Sequence, residues 1–300
     1  MRNRLIFATW TTLCLTTLVG AQEFRADARL VLGPVTVVDH HGANIRGLPK
    51  ESFSVLEDGH PQAIAAFYTE DTPCTIGLVM DASGSLKRWL DRVKESIGAF
   101  LEQSNPQDDY LVTTVSSSPA VLATGSDARA IEKNVRGVQA DGWTALYDGI
   151  RFAAEQVRHS GRGCHALFVL SDGIDNHSRT TKHELLRFLV EADVQVFSIA
   201  IGETFAGRKG VQLMEDQRGI ALLSDLAEKT GGMSIRVRDS DEPADAARRI
   251  SRALRDRYVI GFHASDGSDS DKWHKIQVKT DRSKLTVYAR TGYRAPAAVE

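Results

Sequence analysis

Hydrophobic positions in this chain change pattern twice. From Arg29 to Val38 a β-branched run reads as a strand, and Asp39 to Gly47 as a turn-rich loop. Ser52 to Leu56 alternates, with Phe53 and Val55 on one face. Asp58-Gly59 is a hairpin signal and Gln62 to Phe67 the returning strand. Thr69 to Pro73 is a polar linker. At Cys74 the pattern switches. The unbroken apolar run Thr75 to Met80 predicts a buried strand. Leu86, Trp89, Leu90, Val93, Ile97, Phe100 and Leu101 then follow helical spacing up to the stop at Asn105-Pro106. Tyr110 to Val115 and Ala120 to Ala123 predict two strands joined by a short Ser/Pro turn, hence antiparallel. Helices are expected over 127–135 and 144–157, and a second buried strand over Ala166 to Leu170. A helix over 182–192 and a strand over 194–201 follow. A helix around Leu222 to Lys229 is closed by Gly231-Gly232, with a strand over 233–237 and a helix over 243–255 after it. Beyond Arg257 the pattern is β again, over 258–262, 273–278 and 285–289.

Strands alternating with helices predict an α/β fold, a doubly wound and mostly parallel sheet covered on both faces. The usual order of such sheets sets the strand before Asp81 beside the one before Asp172. Helices leave there from opposite faces and open a crevice at the carboxyl edge. The β segments at 22–70 and 257–300 are each too short for a core of their own. They are expected to join as one small β-sandwich into which a domain at 74–256 is inserted; the alternative is two separate decorations.

The amino terminus changes the picture of where the chain works. Arg2 and Arg4 precede an apolar run from Leu5 to Val19 and then Val19-Gly20-Ala21, which is the form of a signal peptide over 1–21. The alternative is an uncleaved anchor, for which the run is short and broken by threonines. A secreted or periplasmic, cell-envelope location follows, with the membrane met only through export. Of three cysteines, Cys14 lies in that segment. Cys74 and Cys164 open the two acid-terminated strands, at the edge away from the acids. If the strands are parallel neighbours, an oxidising compartment would allow a bridge; the alternative is two reduced thiols. A hydrophobic fraction of 42% and a formal net charge of -2 describe an ordinary globular protein. No basic block with interleaved aromatics points to nucleic acid.

The chemistry concentrates where the apolar strands end. Asp81-Ala82-Ser83-Gly84-Ser85 follows the first, Ser171-Asp172-Gly173 the second, and Gly142-Trp143-Thr144 opens the helix between them. This ordered Asp-x-Ser-x-Ser, Thr and Ser-Asp-Gly pattern resembles the metal-ion-dependent adhesion site of von Willebrand factor type A domains. With Phe53 to Gly59, Arg257 to Phe262 and Gly292-Tyr293, the wider chain resembles the acidobacterial-type subfamily of proteins related to that factor. The resemblance implies metal ligands at Asp81, Ser83, Ser85, Thr144 and Asp172, with Asp172 acting directly or through water. It also implies a partner protein that offers a carboxylate.

The residue types agree with that reading. Two carboxylates and three hydroxyls offer oxygen alone, which suits Mg²⁺ or Mn²⁺, whereas zinc would be expected to draw on Cys and His. Neutral hydroxyls leave a bound cation short of negative charge. Leu86 and Trp143 stand where the family commonly has Met and Gly. Trp143 would either pack in the core or contact a partner. Asp141, Asp148 and Asp175 are expected to cap or support rather than ligate.

Enzymatic signatures fail. Gly202 to Lys209 is near a phosphate loop but its Lys is displaced, so nucleotide binding is not expected. His183-Glu184 lacks the second His of a zinc protease, and no Gly-x-Ser-x-Gly elbow occurs. The expectation is a non-enzymatic binding protein. A structural envelope protein with incidental metal binding is the alternative, and a hydrolase a remote one.

Overall fold

The computed structural model describes residues 30–69, 71–202, 211–265 and 272–294. The signal peptide expected over 1–21, Arg29, residues 203–209 of the Gly202–Lys209 stretch and residues 266–271 lie outside the described residues.

The first strand, β1 (Leu30–Val38), is followed by β2 (Phe53–Glu57), β3 (His60–Gln62) and β4 (Ile64–Thr69). The α/β unit then runs through β5 (Thr75–Asp81), α1 (Leu90–Leu101), β6 (Asp109–Val115), β7 (Pro119–Gly125), α2 (Ala128–Arg136) and α3 (Leu146–Arg158). It continues with β8 (His165–Ser171), α4 (Lys182–Glu191), β9 (Gln195–Ile201), α5 (Val211–Thr230), β10 (Ser234–Val237) and α6 (Pro243–Arg255). Four strands close the chain: β11 (Tyr258–His263), β12 (Trp273–Thr280), β13 (Thr286–Ala289) and β14 (Gly292–Arg294).

The central sheet has the order β10-β9-β8-β5-β6-β7, with β7 alone antiparallel. Its middle strands are buried on both faces, which is why their sequences are unbroken apolar runs. Alternation still sorts their side chains. Ile76, Leu78 and Met80 pack with Val93, Ile97 and Phe100 of α1 and Ile250 and Leu254 of α6. Val79, Leu167 and Val169 turn the other way, onto Leu146 and Ile150 of α3, Leu185 and Leu189 of α4 and Leu223 and Leu226 of α5. The strands ending in Asp81 and Ser171 are neighbours, in register from Thr75↔His165 to Met80↔Leu170.

The flanking strands form two four-stranded sheets, β13-β1-β11-β4 and β14-β12-β2-β3. Each mixes strands from both ends of the chain. β1 pairs antiparallel with β11 and β2 with β12. Val35, Val37, Tyr258, Ile260 and Phe262 of one sheet share a core with Phe53, Val55, Ile276 and Tyr293 of the other. The Tyr258 hydroxyl donates to the Ile45 carbonyl (2.8 Å) and accepts from the Leu48 N–H (3.1 Å), fixing the intervening loop over that core.

Two expectations need correcting. The returning strand at 62–67 is two strands: β3 stays on β2, and past Ala63 the chain crosses to pair β4 with β11. Pro61, without an N–H, sits in the edge strand β3, where no further ladder is needed. The helix expected from Leu222 begins at Val211.

The joint between sandwich and α/β unit lies at the amino-terminal edge of the central sheet. Cys74 and Cys164 form a disulfide there, with Cα atoms 4.6 Å apart. The Arg257 guanidinium lies against both sulfurs (3.3 and 3.7 Å) and donates to Gln195 Oε1 (3.0 Å). Arg255 pairs with Asp71 (2.9 Å) and with fully buried Asp108 (3.2 Å), which also accepts from the Cys74 N–H (2.8 Å). Burial holds the Asp108 carboxyl above its usual range, although the Cys74 N–H and Arg255 pull it down. Removing residues 281–300 takes away β13 and β14 and uncovers edges of β1 and β12. Limited proteolysis should then cut within residues 30–69 sooner than in the full chain; equal cutting rates would contradict the shared core.

Candidate metal centre

Two strand ends and the loop before α3 place the side chains of the site. Asp81 closes β5 and is fully buried, as is Ser83. The chain between them is pinned on both sides. The Ala82 N–H donates to the Val115 carbonyl (2.8 Å), and the Ala82 carbonyl accepts from the Asp141 N–H (2.9 Å). The Ser83 N–H donates to Asp81 Oδ1 (3.0 Å), a local turn that aims the carboxylate. A single 3-10 turn at Gly84–Leu86 then carries Ser85, and buried Leu86 and Trp89 seat it on the core. The helix expected from Leu86 therefore starts at Leu90, because this turn intervenes.

The second acid loop meets the first directly. Ser85 Oγ donates to Asp172 Oδ2 (2.8 Å) and lies 3.1 Å from Ser83 Oγ. Ser171 Oγ donates to Asp81 Oδ2 (2.6 Å) while accepting from the Gly173 N–H (2.9 Å). Asp172 Oδ1 accepts from the Ile174 N–H (3.0 Å). Gly173 has φ +77°, and a Cβ there would fall 2.1 Å from the Gly219 carbonyl oxygen. Glycine at both positions lets α5 cross the Asp172 loop backbone to backbone.

The third loop is stitched to both. The Gly84 N–H donates to the Gly142 carbonyl (3.2 Å). Buried Thr144 donates its N–H to Asn176 Oδ1 (2.9 Å), and its carbonyl accepts from the Asn176 and His177 N–H groups (3.0 and 3.1 Å). Asp81, Ser83, Ser85, Thr144 and Asp172 thus come from three loops that hydrogen-bond to one another at one edge of the sheet. Ser171 and Asn176, which hold that arrangement, were not singled out from the sequence. Both adjoin the second acid run, and their polarity beside it was the available signal.

Electrostatics set the character of the site. Burial, aided by the charge of Asp172, pushes the Asp81 carboxyl up to about 6, against hydrogen bonds from Ser171 and Ser83 that lower it. A cation between the loops would relieve that strain. Among the described residues no group of three or more His, Cys, Asp or Glu side chains is placed to hold a metal. A cation here would rest on two carboxylates and hydroxyls. That donor set fits a hard divalent ion that keeps waters.

The remaining residues sort cleanly. Asp148 accepts from the Arg179 and Thr180 N–H groups, Asp175 from the Tyr147 N–H and Ser178 hydroxyl, and Asp141 from the Gly142 N–H. They brace loops, as expected. Trp143 does not pack in the core: it is 63% exposed. His183 is exposed, and Glu184 serves a capping box with Thr181 at the start of α4. His40 and His41 are exposed in the loop after β1.

Known proteins agree with this architecture. Residues 76–174 match the von Willebrand factor type A domain family. An uncharacterized protein of Borreliella burgdorferi is 25% identical over 183 residues, 55% of this chain and 54% of that protein. The chain therefore spans about half the length of this curated relative. The solved von Willebrand factor type A protein of Catenulispora acidiphila superposes with a TM-score of 0.51 at 12% identity, over 91% of this chain and 75% of that one. The pilus adhesin SpaC of Lactobacillus rhamnosus GG, in an open conformation, gives 0.50 at 11% identity, over 84% and 49%. At such identities the likeness is one of fold. The α/β unit of this chain has the fold of a von Willebrand factor type A domain, and the family match lies within it, over residues 76–174.

Proposed function

We propose that the protein is a secreted or periplasmic binding module that holds Mg²⁺ or Mn²⁺ at Asp81, Ser83, Ser85, Thr144 and Asp172 and captures an acidic side chain of a partner protein. The observation that carries this reading is the convergence of two carboxylates and the Ser83 and Ser85 hydroxyls, with Ser85 bonded to Asp172 and Asp81 buried beside them. When bound, the cation supplies a Lewis-acidic position for an incoming carboxylate oxygen. The chain's part is to orient oxygens and, its hydroxyls being neutral, to add no negative charge beyond the two carboxylates, so that an incoming anion is not repelled. Ser171 and Asn176 keep the loops in place. Asp81, fully buried, is shielded from water.

Capture rather than hydrolysis fits this chemistry. The Ser85 hydroxyl donates to a carboxylate that is itself a ligand candidate, which does not make it a nucleophile. The disulfide supports an oxidising compartment. No helix among the described residues is long and apolar enough to cross a membrane. SpaC is an adhesin by name; that likeness of fold is consistent with the reading and does not carry it.

Isothermal titration tests it. Wild type should bind Mg²⁺ or Mn²⁺ with one site per chain, and Asp81→Asn should lose that site. Absent binding, or binding untouched by the substitution, would overturn the proposal.

A further inference from the structure

Trp143 carries an exposed indole beside the metal loops, on a backbone that is hydrogen-bonded at the residue itself and at both of its neighbours. The Trp143 backbone N–H donates to Ser117 Oγ (3.2 Å). Before it, Gly142 (φ +84°) donates to Asp141 Oδ1 and accepts from the Gly84 N–H of the Ser83–Ser85 loop. After it, Thr144 is held through its N–H and carbonyl by Asn176 and His177. The His177 ring lies nearly parallel to the indole, with an interplanar angle of 16° and centroids 6.4 Å apart. His177 is itself exposed. Two flat, exposed side chains therefore stand beside one ligand candidate, Trp143 as its chain neighbour and His177 through the bond from its backbone N–H to the Thr144 carbonyl.

An exposed Trp held this way meets the conditions for an interface anchor. Its area is large, and few conformations are lost when it is buried. No other large apolar side chain on the Asp81, Thr144 or Asp172 loops is exposed. The shelf therefore adds an apolar requirement next to a site that reads only an oxygen.

We infer that Trp143, with His177 stacked beside it, selects the partner's residue adjacent to the captured acid, favouring a carboxylate whose neighbour in the chain is an aromatic ring. This deepens the metal-dependent reading above and rests on it. The ring would lie on the Trp143–His177 shelf while the acid reaches the metal.

Three synthetic peptides test it, with one Asp in a glycine background followed by Phe, Gly or Arg. Each is titrated into ¹⁵N-labelled full-length protein with saturating Mg²⁺, and chemical shifts are followed. The Phe peptide should bind at least roughly tenfold tighter than the Gly peptide, shifting the Trp143 indole N–H. In Trp143→Ala that advantage should vanish while the Mg²⁺ isotherm stays that of wild type. Equal affinities for Phe and Gly in wild type, or a preference for Arg, would overturn the selection by an aromatic neighbour and leave metal capture standing. A Phe preference that survives Trp143→Ala, or a Trp143→Ala protein that no longer binds Mg²⁺, would overturn the role of the indole. Absence of Mg²⁺-dependent binding by every peptide, with normal Mg²⁺ uptake, would overturn acid capture and the shelf together.

Discussion

Metal-free Asp81→Asn protein should be more stable than metal-free wild type at pH 8, by about 1 to 3 kcal/mol. The Asp81 carboxyl is fully buried and pushed up to about 6, against an ordinary carboxylate value near 3.9 in the unfolded chain. A raised value in the folded state fixes the sign. Between about pH 4 and 6 the folded chain binds a proton that the unfolded chain has released, so stability declines as pH rises through that window and levels off above it. The gap corresponds to about 3 kcal/mol at most. Asparagine keeps the shape and an acceptor for the Ser83 N–H but carries no charge. The advantage of Asp81→Asn should shrink to nothing near pH 4. Saturating Mg²⁺ should reverse the order, because only wild type gains binding free energy, about 2.7 kcal/mol at a hundredfold excess over Kd. Urea denaturation with chelator and with Mg²⁺, at pH 4 and pH 8, reads all four states. Wild type more stable than Asp81→Asn in chelator at pH 8 would show that the carboxylate is not strained in the absence of metal.

Replacing both Cys74 and Cys164 by Ala should cost about 3 to 5 kcal/mol. The cysteines are 90 residues apart in sequence, so the bridge removes a large loop from the unfolded ensemble. Both are buried, so the substitution also trims packing, and it leaves the Arg257 guanidinium without the sulfurs it lies against. Mg²⁺ affinity of the folded variant should be unchanged, because the bridge sits at the opposite edge of the sheet from Asp81 and Asp172. The denaturation midpoint in urea, compared with that of wild type under oxidising and reducing conditions, checks the first part. An unaltered midpoint would mean that the bridge does not form in solution.

Both effects were partly visible in the sequence, for one physical reason. A strand buried on both faces must be apolar throughout, so Thr75 to Met80 and Ala166 to Leu170 stood out, and so did the polar residues that end them and the cysteines that begin them. The sandwich was legible because neither flank alternates over enough length to stand alone. What stayed hidden depends on partners distant in sequence. The first half of α5 carries Gly219, which reads as a helix breaker until it is seen against Gly173. The crossing at Ala63 is set by which sheet has room for β4, and no local signal reports it. Ser171 looked like a neighbour of a ligand, yet it is the hydroxyl that joins the two acid loops. Trp143, bulky and apolar, invited a place in the core; its position on a tightly bonded loop keeps it at the surface.

The disulfide and the loop hydrogen bonds lie at opposite ends of the same two strands. Tension between a captured partner and the sandwich would run along β5 and β8, whose parallel ladder from Thr75↔His165 to Met80↔Leu170 is then loaded in shear, all its bonds at once, rather than unzipped one by one. At the sandwich end the covalent link between Cys74 and Cys164 keeps the pair from splaying. A module built this way should let go of its partner before its own sheet gives way.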